Sequence, residues 1–361
     1  MTRTMTQAQN SHKSGKEAGR AIRSGRIGFW QKFRLLQRVV TNYAYDARRF
    51  RRHAYLYEAR RREQLCARVL ADAHFLEYGM ALRNARPGFG VQRAVRLARD
   101  LCQLHDMDAQ DGRGAEKSKS MMAIGRSVLS SYLEFNAQTQ QGDLDEVRAR
   151  AHLLQQHVTT ENPAGTRTVT REAIQSASEI DFAGFAAARH SVRQFIPGAE
   201  PVEEIRRAVS IARTAPSSCN RQTCRVHAFT QPELMERVRK HQAGNRTFGH
   251  ELSGLLVIAS DLHNWETVGE RYQPWIDGGL FAMTLLYGLH AQGLGTCMLN
   301  WSVEKTQDKL LRAELGLGDE HLVIAMIGIG WLPDRFSVCA SHRLECDDIL
   351  QLNQIDKSPP H

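Results

Sequence analysis

The sequence predicts an α+β domain, with one central sheet covered by helices, preceded by a mostly α-helical N-terminal region. Three observations carry this. From residue 27 to 157 apolar residues recur at helical spacing over four or five segments. Beyond about residue 181, strand-like and helical segments interleave. Leu255-Leu256-Val257-Ile258-Ala259 and Leu322-Val323-Ile324-Ala325-Met326-Ile327 are too short to cross a bilayer and read as buried strands.

Residues 1–26 read as a disordered basic tail, being rich in Ser, Thr, Gln, Lys and Gly. From Ile27 to Arg68 the pattern is helical, with Trp30, Phe33, Leu36 and Val40 at spacings of three and four. Further helices are expected over Gln64–Leu82, Val91–His105, Met121–Asn136 and Leu144–His157. Arg86-Pro87-Gly88-Phe89-Gly90 is a loop signal, and the Gly, Lys and Ser of Asp108–Ser120 predict another loop. The helical extension thus covers 27–158 and a linker 159–180. The α+β domain covers 181–355.

Within that domain, Phe182–Ala188, Val202–Thr214, Pro232–His241, Gly278–Gln292 and Glu304–Leu315 read as helices. Strands are expected at Arg225–Thr230, Gly254–Ser260 and His321–Ile329, with another leaving the glycine turn Gly293-Leu294-Gly295-Thr296.

Composition narrows the classes. Seven cysteines, an odd number with no C-x-x-C pair, argue against a disulfide framework and a zinc ribbon, so no metal is expected. No secretory signal is visible, and the expected compartment is the cytoplasm. Residues 1–70 hold 17 Lys/Arg against 4 Asp/Glu, which is +13 of a net +9, so the other 291 residues carry −4. The basic clusters within 27–68 suit a solvated helix face packed on the acidic remainder, or peripheral contact with anionic lipid. No nucleic-acid recognition fold accompanies them.

Two segments carry chemistry. Arg189-His190-Ser191-Val192-Arg193 alternates cations with a hydroxyl, so an extended backbone points them one way, toward an anionic, oxygen-rich ligand. Pro216-Ser217-Ser218-Cys219-Asn220-Arg221-Gln222 offers the mixed donors and acceptors that a heterocycle edge requires. Cys219 and Cys224 read as packed thiols. A Cys–His hydrolase built on these thiols and His227 lacks any nucleophile elbow to frame it.

These segments, with Ala291–Trp301, Ile327-Gly328-Ile329-Gly330-Trp331-Leu332-Pro333 and Ser341-His342-Arg343, resemble the nitroreductase superfamily of FMN enzymes in order and spacing. The resemblance implies a nitroreductase-like FMN domain with a central mixed sheet. It implies that Arg189 and Arg343 take the FMN phosphate, with Arg193 at the N1–O2 side of the ring. A fixed cation there favours the reduced flavin. His190, Ser191, Pro216, Ser217, Asn220, Gln222, Gly295 and Thr296 complete the implied cofactor set, with Asn220 at the ring and the backbone at Asn300 or Trp301 donating to N5. Thr223-Cys224 stands where relatives carry Pro-Trp. Phe248, Tyr272 and Trp275 fall where relatives place substrate-side elements.

The implied activity is a ping-pong oxidoreductase, with NADH or NADPH as donor and a small nitro, quinone or enone acceptor. Two subunits would build each site, so a homodimer is expected. His74–Arg83 with Arg86–Gly90 resembles a helical extension on nitroreductase-like proteins of bacterial polysaccharide biosynthesis, although Tyr78 stands where those carry Lys. That implies the alternative of a flavoprotein acting in polysaccharide biosynthesis or modification at the membrane surface.

Overall fold

The computed structural model describes residues 28–110, 115–140, 142–155 and 164–353. The expected tail 1–26 and the start of the linker lie outside them. By its contacts the chain divides into two units, 1–44 and 45–361. The described part of the first is Gly28 and most of α1 (Phe29–His53). The second begins within that helix. There Tyr45 donates to Asp308 Oδ2 at 2.7 Å, and Arg49 donates to the carbonyls of Asp319 (2.9 Å) and His321 (2.6 Å). Burial, then the Asp308 hydrogen bond, pushes the Tyr45 phenol up to about 12.

Four helices follow: α2 (Arg62–Ala81), α3 (Val91–Gln110), α4 (Ala115–Phe135) and α5 (Gly142–Gln155). They share a core of their own, in which Leu65, Val69, Leu97, Leu101, Val128 and Leu144 are fully buried. Each such side chain contributes about 2 kcal/mol of burial. Phe89 closes one end. Its ring occupies the space a Cβ on Gly79 would need, the nearest ring carbon lying 1.9 Å from that position. The turn before α3 has Gly88 and Gly90 at positive φ, as its Pro-Gly-x-Gly sequence anticipates.

Two expectations fail here. The helical pattern across 27–68 is broken at 54–61, where Gln64 accepts from the Arg60 and Arg61 amides and donates to the His53 carbonyl. The loop expected at 108–120 is mostly helix, since α3 runs to Gln110 and α4 starts at Ala115. The linker also contains α6 (Arg171–Ser178), capped by Thr170.

α7 (Phe182–Ala188) and α8 (Val202–Ala212) lead into the sheet, whose strands are β1 (Cys224–Phe229), β2 (Gly254–Asp261), β3 (Leu294–Asn300) and β4 (His321–Trp331). Their order is β1-β2-β4-β3, and every ladder is antiparallel. The expected mixed character rests on one parallel bridge, Ser191 to Thr296. α8 and α10 (Gln273–Ala291) cover one face through Ile205, Leu285 and Leu289, meeting Leu256, Ile258 and Ile327. α9 (Pro232–Arg239) and α11 (Lys305–Glu314) cover the other through Val238 and Leu311, meeting Leu255, Val257 and Met326. Successive residues of β2 thus serve opposite cores, which is why its sequence is a continuous apolar run. The short α12 (Cys346–Ile349) is the last helix among the described residues.

Candidate functional site

The segment after α7 runs beside β3. The Val192 amide donates to the Thr296 carbonyl at 2.8 Å, and the Ile196 amide to the Trp331 carbonyl at 3.1 Å. The Phe195 ring presses on Gly295 and Gly330, so no side chain fits at either glycine without a shift. This bond set brings Ser191, Gly295 and Thr296 together and leaves His190 and Arg193 exposed. Arg193 donates to its own Ser191 carbonyl (3.4 Å) and reaches Cys339 Sγ at 3.8 Å, so the segment leading to Arg343 runs alongside. Arg189 stands by the end of α10. There burial, then the Arg189 and His190 charges, lowers the His290 imidazole. Among the described residues, Arg189, Arg193 and Arg343 make no ion pair with a carboxylate.

The second segment turns sharply. Cys219, Asn220 and Gln222 all have φ near +51°, in the left-handed region. The turn is tied down by its neighbours. Ser218 N donates to Asp277 Oδ2 of α10 at 3.0 Å, and Gln222 N donates to Ser217 Oγ at 3.1 Å. Arg221, only 3% exposed, pairs with Glu270 and with Glu266 at 3.7 Å, and lies over the Trp265 ring. It holds the loop from beneath, while Gln222 is exposed and Asn220 half-buried. Cys219 is exposed, not packed as expected, and burial pushes the Cys224 thiol up to about 11.

The two segments do not meet within one chain. β1 and β3 are opposite edges of the sheet. Cys224 is level with Ser260, and Thr296 with Ile329 and so with Gly254, six residues away along β2. At strand spacing and rise, that is about 14 Å across and about 20 Å along, or roughly 25 Å on the diagonal. The points at which the two segments join the sheet are therefore well separated within a single chain.

The remaining candidates separate. Phe248 is 1% exposed and packs against Phe195, so it is core and not part of a substrate lid. Tyr272 and Trp275 are exposed at the start of α10, with Arg271 over the Tyr272 ring. The Trp301 indole is buried and donates to Asp308 Oδ1 at 3.1 Å. Asn300 ends β3, and its carbonyl accepts from Gln242.

Two cavities that the sequence does not announce lie between the helical extension and β1. One, of about 390 Å³, is lined by Ser217, Gln222 and Asp277 with Leu70, Val209 and Phe281. The other, of about 610 Å³, holds His227, His263 and His321 with Asp261 and Glu320. Leu70, Met121, Arg225 and Val226 border both. In the second, burial opposes the His263 charge, yet the bond to Asp261 at 3.0 Å raises its pKa and lowers that of Asp261. Burial, then His321 and Arg225, lowers His227. Among the described residues no group of three His, Cys, Asp or Glu side chains is placed to hold a metal ion.

Residues 186–249 match the model of the nitroreductase family. No curated protein matches the chain. Among solved structures, an FMN-dependent nitroreductase from Clostridium difficile shares 21% identity at a TM-score of 0.41, over 48% of this chain and 100% of its own. A candidate nitroreductase from Desulfovibrio desulfuricans, solved with FMN, shares 19% at 0.43, over 50% and 100%. A candidate NAD(P)H:FMN oxidoreductase from Staphylococcus epidermidis shares 22% at 0.42, over 52% and 100%.

Proposed function

We propose that this chain, whose residues 186–249 match the model of the nitroreductase family, is an FMN-dependent oxidoreductase. It would take electrons from NADH or NADPH and pass them to a small nitro, quinone or enone acceptor. The observation that carries this is the row Arg189, Ser191 and Arg193, fixed along β3 within the family-matched segment, its guanidiniums unpaired with carboxylates among the described residues. That donor set fits a phosphorylated, oxygen-rich cofactor. When bound, FMN supplies reversible hydride acceptance.

The chain's own residues bind and orient. Arg189 and Arg343 hold the phosphate, Arg193 keeps a cation beside the ring, and Ser191, Asn220 and Gln222 supply hydrogen bonds to its edges. The backbone at Asn300 and Trp301 donates to the hydride-accepting side. Donor and acceptor use one cleft in turn, in ping-pong order, with Tyr272 and Trp275 at its rim.

The opposite-edge placement of the two motifs supports a homodimer in which each site takes the 189–193 row from one subunit and the 217–222 loop from the other. The α10 face carrying Trp275, Ile276 and Leu280 is exposed in the single chain, and Gly279 has open space where a Cβ would stand. An apolar helix face of that kind suits the central contact of such a dimer.

The test is the visible spectrum of the purified protein, followed anaerobically as NADH or NADPH is added. Flavin bands that bleach support the reading. Bound flavin that stays oxidised with both donors removes the NAD(P)H reductase, and a protein unable to take up FMN removes the cofactor assignment.

A further inference from the structure

We infer that the N-terminal part of α1 is a docking surface for an anionic lipid bilayer, independently of the flavin reading. On a helix of 100° per residue, Phe29, Phe33, Leu36, Val40 and Tyr43 fall on one side. All are exposed: Phe29 is 75%, Leu36 61%, Val40 56% and Tyr43 72% open. A soluble helix ordinarily buries such a stripe. Here the buried residues of the helix, Arg49 and His53, stand on the other side of its wheel.

Charge selects the occupant. From Phe29 to Tyr45 there is no Asp or Glu, while Lys32 borders the stripe and Arg34 and Arg38 stand on the polar side of the helix. Residues 1–44 together hold nine Lys or Arg against one Glu. Two copies of α1 packed stripe to stripe would bring two positive segments together, with no acidic group between Phe29 and Tyr45 to relieve them. A bilayer rich in anionic headgroups satisfies both features. The stripe enters the headgroup–acyl boundary, Lys32 stays at the phosphates beside it while Arg34 and Arg38 add long-range attraction from the polar side, and Trp30 and Tyr43 bring rings with a polar end to the interface. The helix lies on the surface and does not span it, since no helix among the described residues is long and apolar enough to cross a membrane.

The experiment sediments full-length protein with vesicles of phosphatidylcholine alone and with vesicles containing phosphatidylglycerol. The expected result is binding to the second only, released by salt, with each cation worth about fivefold in affinity. Leu36→Glu with Val40→Glu should lower binding by about a hundredfold. Lys32→Glu with Arg34→Glu should flatten the salt dependence. These positions are exposed, so unchanged circular dichroism and melting temperature are expected of both variants. Equal binding to both vesicle types, no binding to either, or undiminished binding by the stripe variant would each overturn the inference. So would a stripe variant that turns a dimer monomeric in light scattering while wild-type protein ignores the vesicles, because the stripe would then be a contact between chains.

Discussion

The amide of Ser218 donates to Oδ2 of Asp277 at 3.0 Å, and the other oxygen of that carboxylate accepts from Gln273 at 2.8 Å. Asp277 is 2% exposed, so one buried carboxylate on α10 sets the height of the candidate cofactor loop. Removing it leaves a backbone donor without its charged acceptor. Asp277→Ala should cost about 2 kcal/mol of stability and weaken FMN binding, read by thermal melts and fluorescence titration. A variant that melts lower yet binds FMN as wild type would show that the loop does not touch the cofactor.

The two motifs at opposite sheet edges give a complementation test. Arg189→Ala and Asn220→Ala should each reduce FMN affinity by at least about tenfold. If the site is shared between subunits, mixing and re-forming dimers from the two variants restores one intact site in each mixed pair. Recovery of flavin binding on mixing supports the shared site, and its absence, with subunit exchange demonstrated, contradicts it.

Gly79 faces the Phe89 ring with no room for a methyl group. Gly79→Ala should destabilise the helical extension by about 1–3 kcal/mol despite the better helix propensity of alanine. Pairing it with Phe89→Leu should recover part of the loss, measured by urea unfolding. Simple additivity of the two would refute the contact.

Acid should weaken the protein through buried and half-buried imidazoles. Burial lowers the pKa of His53, His227 and His290, so each takes its proton more readily unfolded, and stability falls as pH drops below about 6.5. His263 runs the other way. Its pKa is raised, so its contribution is complete below about 6.5 and is lost as pH rises through the folded value. Melting temperatures from about pH 7.5 to about pH 5.5 should fall less steeply for His227→Asn than for wild type. A slope equal to wild type would exclude His227 as a contributor.

Local pattern was readable and long-range pairing was not. α7 spans the expected Phe182–Ala188, and β1, β2 and β4 lie within two residues of expectation, because period and apolar runs are local signals. The break after His53 carries no Gly or Pro. It is held by Gln64 from one side and by Tyr55 N donating to the Trp265 carbonyl from the other, a contact 210 positions away in sequence. Site residues fared similarly. Ser191 and Thr296 stand in the same implied cofactor set, but their direct pairing and the partners that fix the loop, Asp277 and Glu270, carry no motif of their own. Phe248 is expected on the substrate side from its place in the family order, which does not say that its ring turns inward onto Phe195.

β1 pairs on one side only, and its other side has no strand partner among the described residues. Leu70 and Met121 of the helical extension line the same two cavities as Val226 of β1. The extension therefore screens an open row of amide and carbonyl groups that would otherwise recruit a foreign strand. Deleting the helical extension would take Leu70 and Met121 away from that edge and leave a sheet margin open to pairing with another copy of the chain.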